Sequence, residues 1–233
     1  MPGLRPRPLP TASAAAIVLV CLGLGVWQIA RLHWKEGLIA AREAALHAAP
    51  VPPPASFAAA QALEYRPIAV DGTFLNDKEI DLHAISPGGV QGYRILTPLR
   101  TAGGAVIFVD RGFVPSELRD PARRAAGQPA GTVHVTGILR LPPAGKPNWF
   151  LPDNNPGLNH WFWVDLPAMA AAAGLDRAAP FYLDADATPN PGGWPKGGAA
   201  LPELPNNHLQ YAITWFALAI AMVVIWIVYH RRG

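Results

Sequence analysis

Thr11-Ala12-Ser13-Ala14-Ala15-Ala16-Ile17-Val18-Leu19-Val20-Cys21-Leu22-Gly23-Leu24-Gly25-Val26-Trp27-Gln28-Ile29-Ala30 runs for 20 residues without a charge. At 1.5 Å per residue a helix of this length covers about 30 Å, the thickness of a bilayer's hydrocarbon core. A second uncharged run, 21 residues from Leu209 to Tyr229, closes the chain. Two buried core helices are a poor fit at this length and charge. No A-x-A site for a signal peptidase follows the first run, which continues Val26-Trp27-Gln28-Ile29-Ala30-Arg31, so it reads as an uncleaved anchor.

The composition agrees. Charged residues are 15% of the 233 and hydrophobic ones 51%, whereas soluble domains carry roughly 25% charge. The single cysteine, Cys21, excludes an intrachain disulfide, a Cys-rich zinc site and a thiolate copper site. A net charge of +3 lacks the clustered excess of a nucleic-acid binder, so no nucleic-acid partner is expected.

The spans divide the chain. Residues 1–10 and 230–233 are short tails, 11–30 the first transmembrane helix and 209–229 the second. Arg5, Arg7, Arg231 and Arg232 make both tails purely basic, while all 16 acidic residues lie between the spans. The positive-inside rule therefore expects both termini in the cytoplasm and the main domain outside, with Arg31, Lys35 and Arg42 competing. The short leader points to a bacterial cytoplasmic (inner) membrane and a periplasmic domain.

The first helix is expected to continue to about Ala48, since Pro50 and Pro52 to Pro54 cannot extend it. Residues 55–187 then alternate in the manner of strands: Ile68 to Phe74, Glu79 to Ile85, Gly92 to Arg100, Ala105 to Val114, Thr132 to Leu141, Trp161 to Leu166 and Pro180 to Asp186. Thr101 to Gly104 reads as a hairpin turn. Ser116 to Ala126 and Leu166 to Ala173 read as helical, the second capped by Asp165. Ile68-x-Val70-x-Gly72-x-Phe74 and Val133-x-Val135-x-Gly137-x-Leu139 share one spacing, and glycine within a strand marks sharp coiling. The expected fold is thus two transmembrane helices flanking a mainly antiparallel β, small barrel-like α+β extramembrane domain. Residues 188–208, rich in Pro and Gly, read as a tether.

Catalytic motifs are missing: none of the four serines sits in G-x-S-x-G, and there is no H-E-x-x-H, P-loop or G-x-G-x-x-G. A hydrolase or oxidoreductase stays open as an alternative. The membrane edges carry more. Trp27, Arg31, Trp34 and Lys35 recur at helical spacing at the end of the first span. His208, Tyr211, Ala212 and Trp215 do so at the start of the second. Topology places Arg31 and His208 at about one depth. A histidine there can ligate haem iron, aromatic faces can contact a macrocycle, and Arg31 or Lys35 can pair with propionates. The same residues also fit ordinary interfacial anchoring.

Five blocks carry a resemblance. They are Gly25-Val26-Trp27-Gln28-Ile29-Ala30-Arg31-Leu32-His33-Trp34-Lys35, Tyr65-Arg66-Pro67-Ile68-Ala69-Val70-Asp71-Gly72-Thr73-Phe74, Gly92-Tyr93-Arg94-Ile95-Leu96-Thr97-Pro98-Leu99, Val109-Asp110-Arg111-Gly112-Phe113-Val114-Pro115 and Asn206-Asn207-His208-Leu209-Gln210-Tyr211-Ala212-Ile213-Thr214-Trp215-Phe216. In this order they resemble the Surfeit locus 1 family of cytochrome c oxidase assembly factors. Phe113 stands where that family commonly has Trp. The resemblance implies a non-enzymatic factor that binds haem a and assists its insertion into the large catalytic subunit of the oxidase, in contact with haem a delivery machinery and membrane lipid. It implies His208 as ligand to the haem iron, and the residues at helical spacing beside it, Arg31, Tyr211, Trp215 and Trp27, are the candidates for binding the cofactor. A haem-independent scaffold for the apo-subunit is the alternative. Gly72 reads as a backbone requirement. Arg111 reads as closing a turn or facing a partner, and Trp161, Phe162 and Trp163 as core or a docking patch.

Overall fold

The computed structural model describes residues 6–198 and 204–231. Arg5, Arg232 and the tether residues 199–203 lie outside the described residues. The chain forms two units: residues 1–42 with 202–233, and residues 43–201.

The first unit is a pair of helices, α1 (Pro8–Leu46) and α4 (His208–Arg231), both long and apolar enough to cross a membrane. At 39 residues, α1 spans about 58 Å, so it outruns the hydrocarbon core by about 28 Å. The pair is antiparallel. Arg7 Nη1 donates to the Tyr229 hydroxyl at 3.2 Å, Trp226 Nε1 donates to Thr11 Oγ1 at 3.1 Å, and the Phe216 ring rests on Gly25. The residues of α1 turned inward, Thr11, Ala14, Val18, Cys21, Gly25 and Gln28, are spaced alternately three and four apart. That seam packs helices at a shallow left-handed crossing. Gly25, Ala212 and Ala219 are buried in it, where small residues let helices approach without a hydrophobic driving force. Gly23 belongs to the lipid-facing surface, with nothing near its absent side chain.

The second unit is a barrel. Its strands are β1 (Pro67–Phe74), β2 (Ile80–Ile85), β3 (Gln91–Thr101), β4 (Val106–Pro115), β5 (Thr132–Arg140) and β6 (Tyr182–Ala185). The order β1-β5-β6-β4-β3 closes through a β1–β3 pairing, and β2 extends β3 beyond the closure. Every pairing is antiparallel except β4 with β6. The two strands with the repeated glycine spacing are neighbours, with Gly72 opposite Val133 and Gly137 opposite Ile68. Each glycine faces a backbone that leaves no room for a side chain, Arg100 O beside Gly72 and Asp184 O beside Gly137.

The strands bury two faces. Ile68, Val70, Phe74, Leu99, Ile107, Val109, Val135, Leu139 and Leu183 fill the interior, joined by Ala60 of the short α2 (Phe57–Ala62). Outside, Ile80, Leu82, Leu96, Phe108 and Trp161 pack under α3 (Leu166–Ala172). Coverage of both faces explains the unbroken apolar run Val106 to Val109. Asp165 caps α3 as expected, its Oδ1 accepting from Ala168 N at 3.1 Å.

Three expectations change. Trp161 to Leu166 is no strand: it touches β2 through one bridge, Leu82 to Trp161, and then turns into α3. Ser116 to Ala126 forms two 3-10 turns, Ser116–Leu118 and Pro121–Gly127, because the residue before Pro121 is pushed out of the α region. Residues 188–198, read as the start of a tether, close over the barrel. Phe113 N donates to Lys196 O at 2.9 Å, and Asn190 Nδ2 donates to Pro195 O at 2.7 Å.

Candidate functional site

The barrel's buried charged residues engage one another, Arg111 on the interior face and Arg94, Asp110 and Asp184 on the outer face shared with Phe108. Arg111 is 1% exposed. Its Nη2 donates to Gly127 O and, at 2.7 Å, to Asn190 Oδ1, while its guanidinium lies over the Phe74 ring. Burial lowers its pKa to about 10, opposed by Glu79, and Glu79 is itself gripped by Arg124 at 3.1 and 2.6 Å. Arg111 therefore locks residues 127 and 190 together and faces no partner. Gly112 follows at φ 113°, with Lys196 O where a Cβ would stand. Arg94 joins Asp110 at 2.6 Å and Asp184 at 2.9 Å; burial still holds the Asp110 carboxyl up, to about 7. Trp161 is fully buried in the core, and Phe162 stacks on His83 at 4.6 Å.

The helix pair arranges its polar groups differently. His208 opens α4, and the Asn207 carbonyl accepts from Tyr211 N at 3.2 Å. His208 is half-buried against α1, where its Nδ1 lies 2.7 Å from Gln28 Oε1. An amide oxygen only accepts, so with Gln28 Oε1 turned to it a neutral His208 would carry its proton on Nδ1 and its lone pair on Nε2. Among the described residues Nε2 has no hydrogen-bond partner, and it is not among the buried unsatisfied atoms, so it stands open.

Trp27, Arg31 and Trp34 form one stripe on α1, to one side of Gln28 at 100° per residue. The Arg31 guanidinium lies over the Trp34 ring at 3.9 Å. Tyr211 stands about 60° to the same rotational side of His208. Because the helices run in opposite directions, those offsets fall on one flank of the pair. Trp27, Trp34 and Tyr211 are each at least half exposed there, and Trp215 turns closer to the seam, half-buried. Lys35 also lies nearer the seam than Arg31.

Gln28 was not among the residues singled out from the sequence. Its signal was present: it is the only amide side chain in the run Thr11 to Ala30. A polar group in a span is costly unless it has a partner or a task. Nothing in the sequence paired it with a residue 180 positions away.

Two helices long and apolar enough to cross a membrane, flanking in the chain a closed β-barrel domain, define a membrane protein with an intervening β-barrel domain. The chain belongs to the SURF1 family, whose profile matches residues 15–220. It is 40% identical over 230 residues to a SURF1-like protein of Monosiga brevicollis, covering 92% of this chain and 85% of the relative. It is 38% identical over 227 residues to Surfeit locus protein 1 of Homo sapiens, covering 91% and 74%, and 36% identical over 222 residues to a SURF1-like protein of Drosophila melanogaster, covering 88% and 72%. These three relatives are eukaryotic.

Proposed function

We propose that this chain is an assembly factor for haem-copper cytochrome c oxidase, holding haem a at the membrane edge and assisting its passage to the large catalytic subunit. The reading rests on one observation: His208 presents an open imidazole nitrogen beside a flank bearing Trp27, Arg31, Trp34 and Tyr211.

The donor set fits a haem. The described residues contain no group of three or more His, Cys, Asp or Glu able to hold a metal ion. A bare ion of the zinc type asks the protein for three or four ligands, whereas a macrocycle supplies four nitrogens and asks for an axial one. His208 would supply that ligand. Trp27 and Tyr211, with Trp215 nearer the seam, would line the ring on the membrane side. Arg31, one turn further along α1, would pair with a propionate at the water interface. The protein's work is then binding, orientation and release; no residue is assigned a catalytic role.

In this reading both termini lie in the cytoplasm and the barrel in the periplasm of a bacterial inner membrane. Single cysteines placed in the tails, in a Cys21→Ser background, should react with an impermeant maleimide only after lysis; labelling of a tail in intact cells defeats this topology. The functional test is purification from a host that makes haem a, followed by absorption spectroscopy. A haem a spectrum at a fixed stoichiometry is expected. Haem-free protein that still restores oxidase assembly favours the scaffold.

A further inference from the structure

We infer that Gln28 is a positioning residue for His208: its side-chain oxygen keeps the ring proton on Nδ1 and so leaves Nε2 free for iron. The inference rests on the haem-binding reading of His208 and goes beyond it in assigning Gln28.

The geometry is specific. Gln28 Oε1 and His208 Nδ1 are 2.7 Å apart and belong to different helices, 180 residues apart in the chain. The contact therefore exists only when the two helices pair. Histidines that bind metals are oriented by the acceptor on their other nitrogen, which fixes the tautomer and raises the basicity of the ligating nitrogen. An amide does this without adding a charge. A carboxylate at this depth would carry a desolvation cost, and a hydroxyl would fall short of α4. Gln28 also lies on the seam of α1, three residues from Gly25, on which the Phe216 ring is packed. Its side chain is half-buried and reaches across to α4.

A plain helix-to-helix tie would show the same distance, so the test must read the proton. The full chain, in lipid nanodiscs with 15N-labelled histidine, gives the tautomer of each of its seven histidines. The spectrum of His208→Ala assigns the one in question. The parent is expected to show His208 protonated on Nδ1. Gln28→Leu should move it toward the Nε2-protonated form and weaken haemin binding by about 10- to 100-fold, the usual loss when a metal ligand's supporting acceptor is removed. Gln28→Glu, which keeps the acceptor, should retain the Nδ1 proton and most of the affinity. Circular dichroism of each variant reports whether the helices persist. A parent His208 protonated on Nε2 overturns the inference. So does a Gln28→Leu protein with the parent's tautomer and haemin affinity, provided His208→Ala has lost haemin. If His208→Ala binds haemin like the parent, the haem-binding reading of His208 has failed, and the assignment of Gln28 falls with it.

Discussion

His208→Ala should leave the protein in the membrane with an intact barrel, and should strip it of bound haem. The substitution removes one imidazole at the first position of α4, where the backbone amides of the first turn lack intrahelical acceptors in any case. Alanine is a good helix former, and the pair keeps the Trp226–Thr11 and Arg7–Tyr229 contacts at its other end and Phe216 on Gly25 between. What disappears is the imidazole nitrogen proposed to ligate iron. The Soret band should be lost from the purified variant, and oxidase haem content should fall in cells that depend on it. Arg31→Ala removes a charge contact at an exposed position and leaves the ligand. Exposed ion pairs contribute about 1 kcal/mol or less, so haem affinity should weaken by less than about tenfold. A His208→Ala protein with the parent's haem stoichiometry and Soret maximum overturns the assignment. Lost haem with normal oxidase assembly separates binding from function.

Gly72→Glu should unfold or severely weaken the barrel. Gly72 lies where the barrel closes, paired with Thr101 of β3 on one side and Val133 of β5 on the other. It is buried and points inward, in the alternation of Val70 and Phe74. A Cβ there would stand 2.7 Å from the Arg100 carbonyl and 2.8 Å from Leu99 Cγ, so backbone must move to admit any side chain. Glutamate adds a carboxylate aimed into an interior of Val, Leu, Ile and Phe. Overpacking costs about 1–3 kcal/mol, and an uncompensated buried charge about 3–5 kcal/mol more. The sum approaches the whole stability of a typical domain, about 5–15 kcal/mol. The expected result is a fall in Tm of more than about 10 °C, or aggregation on expression. Gly72→Ala should be intermediate, carrying the clash without the charge. Gly103→Ala, in the open β3–β4 turn, should melt with the parent. Co-melting of Gly72→Glu with the parent removes the closure argument.

The family and its two-span layout were legible because their carriers are local. Charge-free runs as long as a bilayer is thick announce themselves in one dimension. So does the alternation in Ile68 to Phe74, and so does the Gly72 and Gly137 echo, which became a real strand pair. The errors also have local causes. Trp161-Phe162-Trp163 has the composition of a strand, but α3 begins at Leu166 and the segment pairs with β2 through a single bridge at Trp161. The Pro- and Gly-rich stretch from Thr188 has the composition of a tether, yet Asn190 holds Arg111 within the fold.

The sequence by itself determined two transmembrane helices, a β-rich domain between them, and a histidine with aromatic and cationic neighbours at their common edge. Each of these follows from hydropathy, period and topology, which act over a few turns of helix or a single strand. Tertiary structure alone decided the rest. It closed the sheet through β1 and β3, buried Arg111 with Glu79 and Asn190, and brought Gln28 to His208. Those partners are 25 to 180 residues apart in the chain. Their pairing depends on which strands meet and which faces of two helices interlock, and neither is encoded in the spacing of any one segment.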